Sequence, residues 1–335
     1  MPLSFPSSPS VNQTSTQNGR TYKWTGSVWE FVSSGGGGSG LSWSSVPASA
    51  TASGTAGQIA YDGSYFYLAP QNNTWVRTAL STWAVFTPAS VTGLQLWLDA
   101  SDASSLYDAT TGGSLVAADG GVARWEDKSG NARHMTQATS GSRPLRKASQ
   151  QNGKDTLLFD GTNDFLDGSD FLDASTGGLT AFVVYKRNAT GANHELVYKM
   201  DTNGKGWLLR HADSNKLSIY NDTSSGTCNR LTSSTVTATS YIVATFSATS
   251  GSFQQAGAYR NGAALQMDAA ITSGDGAQSP DNTSAIVRIG IQEYLGTYYN
   301  PASANIAEVI LYNSALGNTD RAAVENYLIS KWSLT

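Results

Sequence analysis

The stretch 306–332, IAEVILYNSAL followed by GNTDRAAVENYLISKW, decides how the rest of the chain is read. Ile306 to Leu311 is an apolar run of strand character, and a polar break separates it from a helix whose N-cap is expected at Asn318 or Thr319. Val324, Tyr327, Leu328 and Trp332 recur at helical spacing, so the helix has one apolar face to lay against a larger body. That body is expected to be β. Far upstream, GLQLWLDASD over 93–102 alternates Leu94, Leu96 and Leu98 with Gln95, Trp97 and Asp99, the period of a strand. The two strands are expected to close one sandwich from opposite ends of its sequence.

Between them, apolar runs at 157–159, 180–185, 196–199, 206–210, 216–220, 241–247, 255–260 and 285–291 are each bounded by Gly, Asn, Asp or Ser. Many short strands with no helical pattern between them read as two antiparallel sheets packed face to face. YRNGAAL carries Asn261-Gly262, a hairpin tip. Composition agrees, with 34 glycines in 335 residues, 14% charged residues and a net charge of -4. A chain this uncharged has no basic stripe for nucleic acid. Cys228 is the only cysteine, so no internal disulfide forms, and it reads as a structural thiol. MPLSFPSSPS has neither a basic leader nor an apolar core, so no signal peptide is expected, and no run is long enough for membrane insertion.

Upstream of Gly93 the organisation changes. Residues 1–34 hold an extended, proline-punctuated arm and an aromatic hairpin, with Tyr22 and Trp24 before a turn and Trp29 and Phe31 after it. SSGGGGSG leads through a flexible linker over 35–40. A small β module over 41–87 repeats the theme with Tyr65, Tyr67 and Trp75, and the sandwich occupies 88–335. Small aromatic modules have too little core to stand alone. All seven aromatics are therefore expected at an anchoring or oligomer interface.

The module GTAGQIAYDGSYFYLAPQNNTWVRTALSTW resembles short β modules of structural proteins from tailed phages of marine bacteria and cyanobacteria. The remainder resembles a laminin-G-like, concanavalin A-like family through co-ordered phrases: LWLDASDASSLY at 96–107, VARWEDKSGNARHMTQAT at 122–139, RPLRKASQQNGKDTLLFDGTNDFLDG at 143–168, and IAEVILYNSAL with ENYLISKW. The resemblance implies an all-β, concanavalin A-like jelly-roll sandwich with a short C-terminal helix, of the kind found in extracellular or virion-surface adhesive proteins. It implies no particular ligand.

Two functions follow as expectations, both placing the protein on a virion. One is a fibre or appendage whose residues 1–84 bind other virion proteins and trimerise, while the sandwich touches a host-surface polysaccharide. The other is a capsid decoration or architectural part that binds no sugar. Glycan contact points to QEYLGTYYNPASAN, with Tyr294, Tyr298, Tyr299 and Asn300, and to Trp207. The same resemblance offers a framework reading of Tyr299 and Asn300, seating the last strand. A Ca2+ site is offered by Asp127, Ser129 and Asn131, or by Asp160, Asn163 and Asp164, and both loops also read as Asx turns. No Glu-x-Asp-x-Glu triplet, nucleophile elbow or His-x-x-x-His spacing is present, so no enzyme is expected and His134, His194 and His211 are read as surface or hydrogen-bonding residues.

Overall fold

Strand Ser303–Tyr312 is the axis of the fold, and it is hydrogen-bonded along both sides. The computed structural model describes residues 5–17, 20–34, 42–62, 65–79, 86–175, 177–224, 226–250, 253–274 and 284–335. The chain divides into two units, Met1–Val85 and Phe86–Thr335. In the second unit, Ser303–Tyr312 pairs along one side with Leu179–Arg187, Val183 opposite Val309. Its other side is shared: Lys154–Asp160 takes the first half and Leu94–Asp99 the second, with Leu157 opposite Ile306 and Leu98 opposite Val309. The expected meeting of the two distant strands is direct, antiparallel pairing.

This first sheet continues from Leu179–Arg187 through Ile242–Ala248 to the Gly257–Arg260 hairpin, whose Asn261 and Gly262 both have positive φ. Facing it, a second sheet runs from Ile271–Gly274 through Gly226–Leu231, Leu217–Thr223, Gly206–His211 and His194–Met200 to a series of two-residue strands. Trp125, Trp207, Phe159, Phe246, Leu98 and Val309 fill the space between the sheets. The architecture is the expected all-β sandwich of two antiparallel sheets packed face to face.

Among the described residues a single α-helix, Asn318–Trp332, is present, and it covers the outer face of the first sheet. Gly317 is its N-cap and Asn318 its first residue, one position from expectation, because Gly317 takes the extended backbone at the boundary. Val324, Leu328 and Trp332 are buried against Phe182, Val184, Val243 and Ile310. Each contributes roughly 1.5–3 kcal/mol of apolar burial. Strands 179–187 and 303–312 are thereby buried on both faces, which explains their near-continuous apolar sequence.

Glu308 interrupts that sequence with a fully buried charge. Its Oε1 accepts from Trp97 Nε1 at 2.8 Å and Tyr327 Oη at 3.0 Å. Oε2 accepts from Lys331 Nζ and Trp332 Nε1, both at 2.7 Å. Lys331 also reaches Asp99 at 2.7 Å, and Lys128 joins Asp99 to Asp102, so opposite charges alternate outward to the surface. Burial and the nearby Asp99 push the Glu308 carboxyl up, and Lys331 opposes them.

The first unit holds two small sheets. Thr14–Gln17, Arg20–Trp24 and Trp29–Ser34 form a three-stranded antiparallel sheet. Part of the expected extended arm is thus an edge strand, because Thr14–Gln17 can complete its backbone hydrogen bonds on Arg20–Trp24. The aromatic hairpin is present, with Trp24 opposite Trp29 and Tyr22 near Phe31, ring centroids 5.6 and 5.8 Å apart. Val11, Val28, Phe31 and Val32 are exposed. Ser42–Trp43, Gln58–Tyr61, Tyr65–Gln71 and Thr74–Ala79 form the other sheet. Here Tyr67 and Trp75 are buried with Ala60 and Ala69. These two aromatics therefore build the module's own core and are not available to an interface. Tyr65 lies half-buried under the Arg77 guanidinium, 4.2 Å from its ring centre. The linker expected over 35–40 lies outside the described residues. Among the described residues no helix is long and apolar enough to cross a membrane.

Replacing Glu308 with Ala leaves two indole N–H groups and a phenol without their acceptor and leaves Lys331 with Asp99 as its remaining carboxylate. The expected loss is about 3–5 kcal/mol of unfolding free energy in urea titration at neutral pH. A loss below about 1 kcal/mol would show that the carboxylate does not hold the helix to the sheet.

Candidate functional site

The segment singled out for ligand contact folds as a separate hairpin. Gln292–Tyr294 and Thr297–Tyr299 pair with each other alone, Glu293 opposite Tyr298. Leu295 and Gly296 at the tip both have positive φ, as a two-residue hairpin turn requires. Tyr294 is 40% exposed, Tyr298 48% and Tyr299 45%. Strand alternation puts Tyr298 on the face shared with Glu293, and Tyr294 with Tyr299 on the other.

A two-stranded hairpin is marginal by itself, and polar contacts from the larger sheet hold this one. Tyr198 Oη donates to the Glu293 carbonyl, and Leu295 N donates to the Thr202 carbonyl at 3.0 Å. Arg288 is buried and pairs on one side with Asp167, at 2.5 Å from Nε and 3.2 Å from Nη2, and on the other with Glu293 at 2.7 Å. Burial disfavours its charge, and the two carboxylates more than offset that, so its pKa is raised. The guanidinium also lies 4.9 Å from the Phe165 ring centre and 5.3 Å from that of Tyr298.

At the hairpin's root Asn300, with φ of 52°, donates from Nδ2 to Glu195 Oε1 and Gln292 Oε1, each at 3.1 Å. Asn300 is therefore spent on the framework, and the contact role expected for it is corrected: its amide faces inward. Glu195 is fully buried, and burial raises its pKa to about 7, against the opposing pull of Arg210 and Asn300. Beside the hairpin, a cleft of about 270 Å3 is lined by Tyr198, Asp201, Thr202, Ala285, Arg288 and Glu293 among others. Carboxylates and backbone groups line this cleft, and the exposed tyrosines stand on the adjoining hairpin outside its lining; together they are suited to a hydroxyl-rich ligand.

Other expected sites resolve differently. Trp207 is fully buried between the sheets, and its Nε1 donates to the Leu172 carbonyl at 3.0 Å, so it offers no face to a sugar. Asp127 Oδ1 accepts from Trp97 N and Ser129 N, and its Oδ2 from the Ser129 hydroxyl and Arg133 N. Asn131 donates its amide to the Leu94 and Gln95 carbonyls. Asp160 Oδ1 accepts from Thr162 N and Asn163 N, while Asp164 Oδ2 accepts from Asp160 N. Both loops thus use their carboxylates to close Asx turns, because local N–H groups reach them first. Among the described residues no three His, Cys, Asp or Glu side chains are grouped to hold a metal.

Of the two readings expected for the histidines, surface or hydrogen-bonding, His194 and His211 follow the second: both are interior, and His194 Nδ1 accepts from Ser303 N at 3.0 Å. Burial, assisted by Arg187 and His194, pushes His211 down to about 3, and its Nδ1 lies 2.7 Å from Tyr185 Oη. His134 is half-buried, and its Nδ1 accepts from Asp127 N. Cys228 is buried, and burial raises its thiol, in keeping with a structural role. Sequence reasoning singled out the tyrosines and did not anticipate Arg288, Asp167, Asp201 and Tyr198 beside them. Glu293, adjacent to Tyr294 in QEYLG, was the one signal within reach.

No family model matches the sequence, and comparison with curated proteins gives no match. Among solved structures, the chain is similar to the binding domain of Paraclostridial Mosquitocidal Protein 1, with a TM-score of 0.48 and 13% identity over 73% of this chain and 53% of that one. It is also similar to Trypanosoma rangeli sialidase in complex with sialic acid, with a TM-score of 0.47 and 12% identity over 82% and 44%. A third is domain 4 of AbnA, an extracellular arabinanase from Geobacillus stearothermophilus, in complex with arabinotriose, with a TM-score of 0.47 and 13% identity over 70% and 97%. The chain spans about half the length of the first of these.

Glu195 makes stability pH-dependent with a definite sign. Folded, it keeps its proton to about pH 7; unfolded, it releases it near 4.5. Its contribution is complete below the unfolded value and is lost as pH rises through the folded one, by about 3 kcal/mol in all. Glu195→Gln is expected to flatten that part of the melting-temperature profile between pH 5 and pH 8, and an unchanged slope would overturn the assignment.

Proposed function

We propose that the sandwich is a glycan-recognition head and that the first unit attaches it to a virion as part of a fibre or appendage. The observation that carries the first half is the hairpin 292–299, which presents Tyr294, Tyr298 and Tyr299 to solvent while buried polar contacts fix its root. Large exposed aromatics on a rigid support bind sugar rings with little ordering cost. The virion setting draws on the sequence resemblance of the first unit to phage structural modules. It also draws on the exposed Val11, Val28, Phe31 and Val32, an apolar surface suited to burial in an assembly. A trimer is the proposed state, with a host-surface polysaccharide as the partner of the head.

The intact protein on a glycan array tests the head. Tyr298→Ala and Tyr294→Ala are expected to weaken binding about tenfold or more each, with little change in melting temperature. Chelator is expected to leave binding unchanged, given the Asx turns at both acidic loops. A protein that bound no glycan would favour the architectural alternative, a capsid decoration without sugar binding.

Light scattering on the full chain and on a chain lacking residues 1–85 tests attachment. Loss of both oligomerisation and particle incorporation is expected in the shortened form. If both survived, the anchoring role would be wrong.

A further inference from the structure

We infer that the glycan bound at this hairpin is an uncharged polysaccharide and that sugars bearing carboxylates are rejected. The inference rests on the glycan reading above and adds the charge class of the ligand. Among the described residues Arg288 is the one cation lining the cleft, and it is already held between Asp167 and Glu293. Asp201 lines the same cleft. The cations just behind are committed as well. Lys199 is bound by Asp170 at 2.7 Å and Asp173 at 3.1 Å and by the cleft-lining Ala285 carbonyl at 2.5 Å. Lys205 Nζ lies 2.6 Å from Asp222.

Among the described residues, five carboxylates thus pair with three cations at this end of the sheet, and Asp201 adds a sixth carboxylate at the cleft. A carboxylated sugar would enter a net negative field and meet a guanidinium with its two strong acceptors in place. An uncharged sugar meets what it needs, since its hydroxyls donate to carboxylates and its C–H faces rest on tyrosine rings. The two carboxylates that occupy Arg288 therefore serve as the selectivity element.

Binding of the full chain to neutral dextran and galactan oligosaccharides, and to polygalacturonate and polysialic acid of matched length, tests this. Neutral ligands are expected to bind at least about tenfold more tightly, and the gap to narrow as salt screens the repulsion. Glu293→Gln, which removes one of the acceptors on Arg288, is expected to shift the ratio toward acidic ligands at least about threefold. Tight binding of an acidic polymer that requires Tyr298, or an unchanged ratio in Glu293→Gln, would overturn the charge inference and leave the glycan reading standing. Absence of binding to every polymer would overturn both.

Discussion

A single carboxylate, that of Glu308, joins the three parts on which the sandwich depends. It sits on the axial strand and accepts from Trp97 on the strand at the start of the domain and from Tyr327, Lys331 and Trp332 on the closing helix. A charge placed in the middle of a doubly buried strand is costly unless its lone pairs are satisfied. Here four donors converge on it, and each comes from an element that apolar packing alone would leave free to slide. Apolar burial supplies most of the adhesion between helix and sheet, and the carboxylate fixes the register in which they meet.

The same logic recurs at the candidate site. A small hairpin cannot hold its shape by backbone pairing alone, so Asn300, Glu195, Tyr198 and Arg288 fasten it from behind. The tyrosines can then be exposed without being loose. One polar contact at the hairpin's foot involves a carboxyl that keeps its proton into the neutral range, which ties the rigidity of the face to pH.

Local pattern made much of the fold legible. Alternation in GLQLWLDASD, the apolar run of IAEVILY and the helical spacing of Val324, Leu328 and Trp332 are consequences of burial on one or both faces, and each element appears where its pattern lies. Asn261-Gly262 marked its hairpin for a purely local reason, the positive φ of both residues. The misreadings share a different cause. Trp207, Tyr67 and Trp75 could not be distinguished from surface residues, because their burial depends on which strand faces them. Arg288 and Asp167 lie 121 positions apart and meet only through the pairing of two-residue strands too short to carry a period. The acidic loops were ambiguous because an Asx turn and a cation site use the same residue types, and only the direction of the oxygens separates them.

The position of the axial strand near the end of its domain governs how the protein must be made. Until Ser303–Tyr312 has emerged from the ribosome, Leu179–Arg187 lacks its longest partner, and the earlier strands Leu94–Asp99 and Lys154–Asp160 have no common edge to join. Closure of this domain therefore waits for its last strand, with apolar strands unsheltered in the meantime. A chain cut before that strand lacks the edge that Leu94–Asp99, Lys154–Asp160 and Leu179–Arg187 share. The order of the strands along the chain thus sets when the sandwich can close.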